Sequence, residues 1–373
     1  MSQETGLDLQ FYDADAPTEN GPTTKVLLLG GVGPLAPSAP RKDAAVSALF
    51  AGHDLRALSL LKDAAYAESG VSGKAAAEWA AGIGVDVVSL AGMEGEHCSE
   101  TRDLLGGVEL IGAGETEAET FRPLLRNIGG VRLGVLALAE RRAGGFDGRA
   151  NILHPLACDR VRMLQAQCDH VIVFCHAGLP KANLPLPEWR ARYRRLVDSG
   201  ASVVVGMPPA GVSGWEEYRH GLVFYGLGTL ADDREGADAR SLALSLKLGQ
   251  NGRFTYEVHM LERDCGTLRV CESEATKQSI NETNALFFDE RAYLAQSTAL
   301  CRAAFDAWER ETCAIHAQGF GRGLLNALLP QSANNAKRED EAQLKALLEN
   351  ESLRLAVLRA LVAREATEQG GRA

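Results

Sequence analysis

Between Lys25 and Asp233, short aliphatic or β-branched runs recur between stretches of helical spacing, and most of these runs are apolar without alternation. A strand with apolar side chains on both faces has to be covered on both faces. The pattern therefore excludes a one-sided antiparallel sheet and points to an α/β layer architecture. Strands are expected over 25–29, 54–60, 86–90, 131–137, 170–174, 201–205 and 222–225. Helices are expected over 75–82, 115–126, 155–166 and 187–199. The last opens on Pro187, whose missing N–H costs nothing in a first turn, and ends before Gly200.

After about Ala239 the pattern changes to alternation, over 241–246 and 254–260, on either side of Asn251-Gly252. That dipeptide favours a hairpin turn, and an antiparallel edge added to the core is expected. Beyond about Glu274 only helical spacing remains. In the final helix Leu344, Leu347, Leu348, Leu355, Leu358 and Val362 share one face, a stripe expected to pack on the protein itself. The chain thus divides into a loose arm over 1–24, an α/β domain over 25–272 with the hairpin region at 239–271, and a helical region over 273–373.

Charge narrows the function classes. The 39 Lys and Arg against 49 Asp and Glu leave a net charge of -10, which argues against gripping a nucleic-acid backbone. No apolar run reaches the roughly 18 to 20 residues of a membrane span. Met1 to Asn20 is polar and acidic, unlike a secretory signal, so a cytoplasmic protein without membrane association is expected. The eight cysteines contain no CxxC pair and read as free thiols of a reducing compartment.

Four segments are candidates for chemistry. The loop Gly30 to Ala36 threads onto G-x-G-x-x-A from Gly31, with Asp54 near the distance of a ribose partner. Pro34, Pro37 and Pro40 stand against the helix that a bound pyrophosphate needs. Arg190, Arg192, Arg194 and Arg195, interleaved with Trp189 and Tyr193, form either an anion-binding face or a solvated face with its aromatics on the sheet. Asp232 and Asp233 follow a strand end, where they either hold a cation or substrate amine or cap a turn. His176 ends the apolar run 171–175 and precedes Ala177-Gly178. Ligands bind at the carboxyl ends of strands in α/β sheets, which makes His176 the candidate general acid or base.

Several segments taken in order carry a resemblance. They are 87–91, Gly112-Ala113-Gly114-Glu115 with Phe121-Arg122-Pro123, 131–139, 171–173 with His176-Ala177-Gly178, 192–201, 203–206 and 224–228. Their order and spacing over about 25–233 resemble the CapA family, metallophosphatase-like proteins associated with poly-γ-glutamate and capsule synthesis. The resemblance implies a calcineurin-like αββα sandwich with metal-ligating Asp, Asn, Glu and His at strand ends.

The family's Gly-Asp falls on Gly30-Gly31, its Asn-Leu-Glu on Leu58-Ser59-Leu60, and its Asn-Asn-His on Gly92-Met93-Glu94. Its His-x-Gly-x-Glu falls on His176-Ala177-Gly178-Leu179-Pro180, which keeps only the His and Gly. Its Gly-His-His-Pro-His becomes Gly206-Met207-Pro208-Pro209-Ala210, and its Ser-Leu-Gly-Asn becomes Gly226-Leu227-Gly228-Thr229. Met, Leu, Pro, Gly and Ala side chains do not hold a hard divalent cation.

The resemblance therefore implies an old cleft lined by Gly31, Gly92, Met93, Glu94, Gly178, Met207 and Thr229, with no metal and no cofactor. Glu94, His97 and His176 are the residues from which a metal site could be rebuilt. His97, Asp232 and Asp233 are further ligand-binding candidates. The expected function is a CapA-like protein without the family's metal site, a non-catalytic subunit binding a small molecule, a protein partner or a second copy. The alternative is a hydrolase or transferase on a phosphate, carboxylate or peptide-like amide, with His176 moving the proton.

Overall fold

The computed structural model describes residues 21–370 other than 39, 63–65, 69, 94–97, 141–145, 180–181, 208–210, 235–239, 265, 327–343 and 346. It leaves out the side chains of 68, 98–99, 311–326 and 367–370. Two compact units divide between Phe288 and Asp289.

In the first unit, β1 (Thr23–Val32) is buried almost throughout. A loop and β2 (Arg41–Lys42) lead to α1 (Ala44–Ala51), whose first turn is fixed where the Asp43 carboxylate accepts the Val46 N–H at 2.7 Å. There follow β3 (Leu55–Leu60), the short pair β4 (Ala67–Glu68) and β5 (Val71–Ser72), and α2 (Gly73–Gly82), capped by Ser72. Next come β6 (Val87–Ser89), α3 (Cys98–Leu104), β7 (Glu109–Ile111), α4 (Glu117–Thr120), β8 (Leu124–Ile128) and β9 (Val131–Ala139).

The chain continues through α5 (Leu156–Gln165), β10 (His170–His176), α6 (Pro187–Asp198) and β11 (Val203–Gly206). The unit is completed by β12 (Trp215–Tyr218), β13 (Gly221–Phe224), β14 (Thr229–Ala231), β15 (Arg240–Gly249), β16 (Phe254–Asp264), β17 (Thr267–Val270) and α7 (Glu274–Leu286).

Among the described residues the strands form two large sheets, one in the order β2-β17-β16-β15-β1-β3-β6-β7 with β14 also on β1, the other β12-β13-β11-β10-β9-β8. Val26, Leu28, Leu55 and Val87 from the first sheet pack with Val135, Ile172, Phe174, Val205 and Phe224 from the second in one buried core. The alternate residues of the first sheet, Leu27, Leu29, Leu58 and Val88, pack on Phe50 of α1 and Ala76 and Ala80 of α2. On the second sheet, α6 buries Trp189, Tyr193, Leu196 and Val197. The result is the layered αββα sandwich implied by the resemblance.

The helix expected over 115–126 is a single turn, followed by strand β8. Pro123 cannot continue a helix, and the positive-φ pair Gly129-Gly130 returns the chain antiparallel as β9. The Asn251 turn is present, with φ 63°. The strands it joins are the expected antiparallel addition: β15 pairs with the flank of the parallel block at β1, and β16 and β17 continue outward from it.

The second unit contains α8 (Glu290–Asn326) and α9 (Glu351–Gly370). Its buried positions on α9 are Glu351, Ser352, Ala356, Val357 and Ala360, whereas Leu344, Leu348, Leu358 and Val362 are exposed. The expected leucine stripe is therefore not the packed one, apart from buried Leu347. Small residues four apart let two helix backbones approach closely, and that spacing decides which face turns inward.

Candidate functional site

The carboxyl ends of strands from both sheets meet at His176. Gly92, just past β6, lies against the imidazole: a Cβ at position 92 would fall 2.9 Å from His176 Nδ1 and 2.6 Å from the Leu60 carbonyl oxygen. That nitrogen is buried, with no hydrogen-bond partner among the described residues. The backbone around it is fixed by three bonds. The Glu140 N–H donates to the His176 carbonyl at 2.8 Å, the Gly178 N–H donates to the Glu140 carboxylate at 3.2 Å, and the Tyr193 hydroxyl donates to the Ala177 carbonyl at 3.2 Å. Burial, reinforced by the positive charges of Arg149 and Lys62, pushes the imidazole down to about pKa 3.

The other cleft positions are packed. Gly31 sits in parallel register with Thr229, which is buried, and a Cβ at Gly31 would meet Leu61 Cδ2 at 2.7 Å. Met93 and Met207 are fully buried. Gly178 has φ 119°, in the region that favours glycine. Glu94, His97, Pro180 and 208–210 lie outside the described residues. Among the described residues, no three His, Cys, Asp or Glu side chains gather as a cation site.

Asp232 and Asp233 brace the loop after β1 and do not face the cleft as ligands. Asp232 is bound by the Arg234 N–H at 3.0 Å and by its guanidinium at 2.6 Å, and its carboxylate lies where a Cβ at Gly33 would fall, 2.0 Å away. Asp233 accepts the Ala36 N–H at 2.8 Å and pairs with Arg263. The first helix after β1 begins only at Ala44, so Gly31 to Ala36 is not a dinucleotide loop.

Of the four arginines of α6, Arg190 and Arg194 are committed internally, Arg192 lies over the Trp189 ring, and Arg195 is exposed. Glu216, buried on β12, receives Arg194 at 2.7 Å and 2.9 Å, Arg190 at 2.9 Å and 3.3 Å, and the Tyr225 hydroxyl. Burial works to raise the Glu216 carboxyl, and the bonds from Arg194, Arg190 and Tyr225 outweigh it and hold it below the ordinary carboxylate range. Arg190 also bonds the Phe287 carbonyl at 2.9 Å and lies over the Phe287 ring. These cations tie α6, β12 and the end of α7 together.

Lys62, Arg149, Glu140 and Leu61 are not singled out by the sequence. Lys62 follows β3 by two residues, and Glu140 follows β9 by one. Position at a strand's carboxyl end is therefore the available signal. Arg149 carries no such mark, because it returns to the site through the bridges Ala113–Arg149 and Ala139–Asn151.

Residues 71–234 match the family model for bacterial capsule synthesis protein PGA_cap. Over this segment the chain is similar to the CapA family. It is 24% identical over 184 residues to the capsule biosynthesis protein CapA of Bacillus anthracis, covering 46% of this chain and 45% of that protein. It is 25% identical over 190 residues to the PGA biosynthesis protein CapA of Bacillus subtilis (strain 168), covering 48% and 50%. The chain thus spans about half the length of these CapA relatives. A hypothetical protein from Thermus thermophilus aligns in structure at 17% identity and TM-score 0.42, over 64% of this chain and 100% of that one. Among the described residues, no helix is long and apolar enough to cross a membrane.

Proposed function

We propose that this CapA-like protein serves capsule- or PGA-type biosynthesis as a metal-free subunit that binds a small ligand or a partner, and is not a metal-dependent phosphoesterase. The observation that carries the reading is the packing at Gly31. The resemblance puts a carboxylate there, yet the space into which a side chain would grow is filled by Leu61, 2.7 Å from a Cβ at that position. Leu60, Met93 and Met207 are likewise buried apolar groups at positions where the family pattern has oxygen or nitrogen donors. Such groups do not fit a hard divalent cation. The free thiols Cys158, Cys168, Cys175, Cys271 and Cys301 suit a reducing, cytoplasmic compartment.

An acid–base role for His176 gains little support. A ring held near pKa 3 is a weak base at neutral pH and is not the imidazolium that would act as the acid. Elemental mass spectrometry of never-chelated protein, with thermal melts in the presence and absence of chelator, tests the proposal. Metal-free protein with an unchanged melt is expected. About one equivalent of metal together with a chelator-lowered melt overturns it.

A further inference from the structure

We infer that the cavity bounded by α7, residues 211–214 and the start of β15 is a binding site for a neutral polyhydroxylated molecule of the size of a sugar ring. It has a volume of about 370 Å³, and among the described residues its wall includes none of His176, Gly92 and Met207. Met260, Thr276, Ser279, Ile280 and Thr283 of that wall lie beyond the segment 71–234 that matches the family model. The inference therefore concerns a second site and is independent of the metal-free reading of the strand-end cleft.

Three observations give the ligand class. First, the walls are held in place without a ligand. The Trp215 N–H donates to Asn284 Oδ1 at 2.8 Å, which ties α7 to β12, and Arg190 joins Glu216 of β12 to the Phe287 carbonyl just past α7. A preformed pocket loses little binding energy to ordering itself.

Second, the polar wall is rich in acceptors and poor in charge. Ser213, Thr276 and Thr283 donate their hydroxyl protons within the protein, to the Ala182 carbonyl at 3.4 Å, Ser273 Oγ at 3.2 Å and the Ser279 carbonyl at 3.0 Å. What these three hydroxyls keep for a ligand is lone pairs. The exposed Asn183 amide and Ser279 hydroxyl have no side-chain partner among the described residues, and each can donate as well as accept. Among the described residues no carboxylate lines the cavity, and its cation, Arg240, stands directly across from Glu262 in the β15–β16 register. An oxyanion has no proton for those lone pairs, and an ammonium finds no counter-charge. A ligand hydroxyl gives its proton to one oxygen and accepts from another group. Third, Val212, Met260 and Ile280 make part of the wall apolar, which suits the C–H face of a sugar ring whose edge hydroxyls meet the polar side.

Saturation-transfer difference NMR of the full chain tests the inference, with glucose, galactose, mannose and N-acetylglucosamine as neutral probes and succinate and putrescine as charged ones. Saturable transfer to at least one sugar, and to neither charged probe, is expected. Ser279→Trp, at an exposed position of α7, should crowd the cavity and abolish the signal with a near wild-type melt. Asn183→Leu should weaken binding about tenfold. If Ser279→Trp lowers the melt, Asn183→Leu decides. Transfer to none of the sugars, binding left unchanged by the deciding variant, or a charged probe bound as tightly as the sugars overturns the inference. The metal content of the same samples bears on the strand-end cleft alone, so the two claims fail separately.

Discussion

Replacing Glu216 with Gln tests whether the arginines of α6 serve the fold or an external anion. The substitution keeps the shape of the side chain and removes its charge, so no cavity contributes. Both Glu216 and Arg190 have side chains 5% exposed, and Arg194 is 31% exposed. Without the carboxylate, a buried guanidinium faces a second guanidinium and a phenol and loses the charge that Glu216 supplies. Breaking a buried ion pair from one side costs about 3 to 5 kcal/mol, which corresponds to a fall of roughly 10 °C in melting temperature for a unit of this size. Arg194→Leu costs less, roughly 1 kcal/mol, because solvent screens a group that is one-third exposed.

The effect also has a pH signature. The folded-state pKa of Glu216 is depressed, so its contribution is complete above the unfolded value of about 4.3 and is lost as pH falls through the lower folded value. Calorimetric melts of wild type and Glu216→Gln should differ widely at neutral pH and converge in acid. A neutral-pH difference below about 2 °C, or one that does not narrow in acid, refutes the reasoning.

Three further outcomes follow from the same geometry. Gly33→Ala drives a Cβ into the Asp232 carboxylate, 2.0 Å from Oδ2. It should lower stability by about 2 kcal/mol or more in a urea titration, with dinucleotide having no effect on either protein. The His176 Cε1–H resonance should stay constant from about pH 8 to pH 5. Since the folded ring titrates near 3 and an unfolded one near 6.5, the stability gained from a neutral ring is complete above 6.5 and lost as pH falls toward 3. Gly31→Asp should lower the melt without conferring metal binding, because Leu61 occupies its space. Adding Leu61→Ala should recover part of the loss, as measured by the same melts.

Legibility in the sequence follows the range of the forces involved. Runs such as 131–137 and 170–174 announce β9 and β10 because a strand buried on both faces needs apolar residues at every position. The Asn251 turn is equally visible, since a positive φ is a local demand. The strands β7, β8 and β12 escape such a reading: Glu109, Arg126 and Glu217 lie on faces exposed at or near sheet edges, so their segments lack the apolar run. His176 and the glycines against it are legible from strand ends and from the resemblance. Arg149 is not, because what makes it a neighbour of His176 is a loop that returns to Ala113, past the end of β7, and to Ala139, at the end of β9.

The same distinction bears on what the cleft has become. Carboxylates and imidazoles gathered around a cation are tolerable only while the cation is present, because without it they repel one another and lose water for nothing. With Gly at 31 and 92, the backbone beyond β6 closes onto the His176 ring and Leu61 closes over β1, so apolar contact takes the place of coordination.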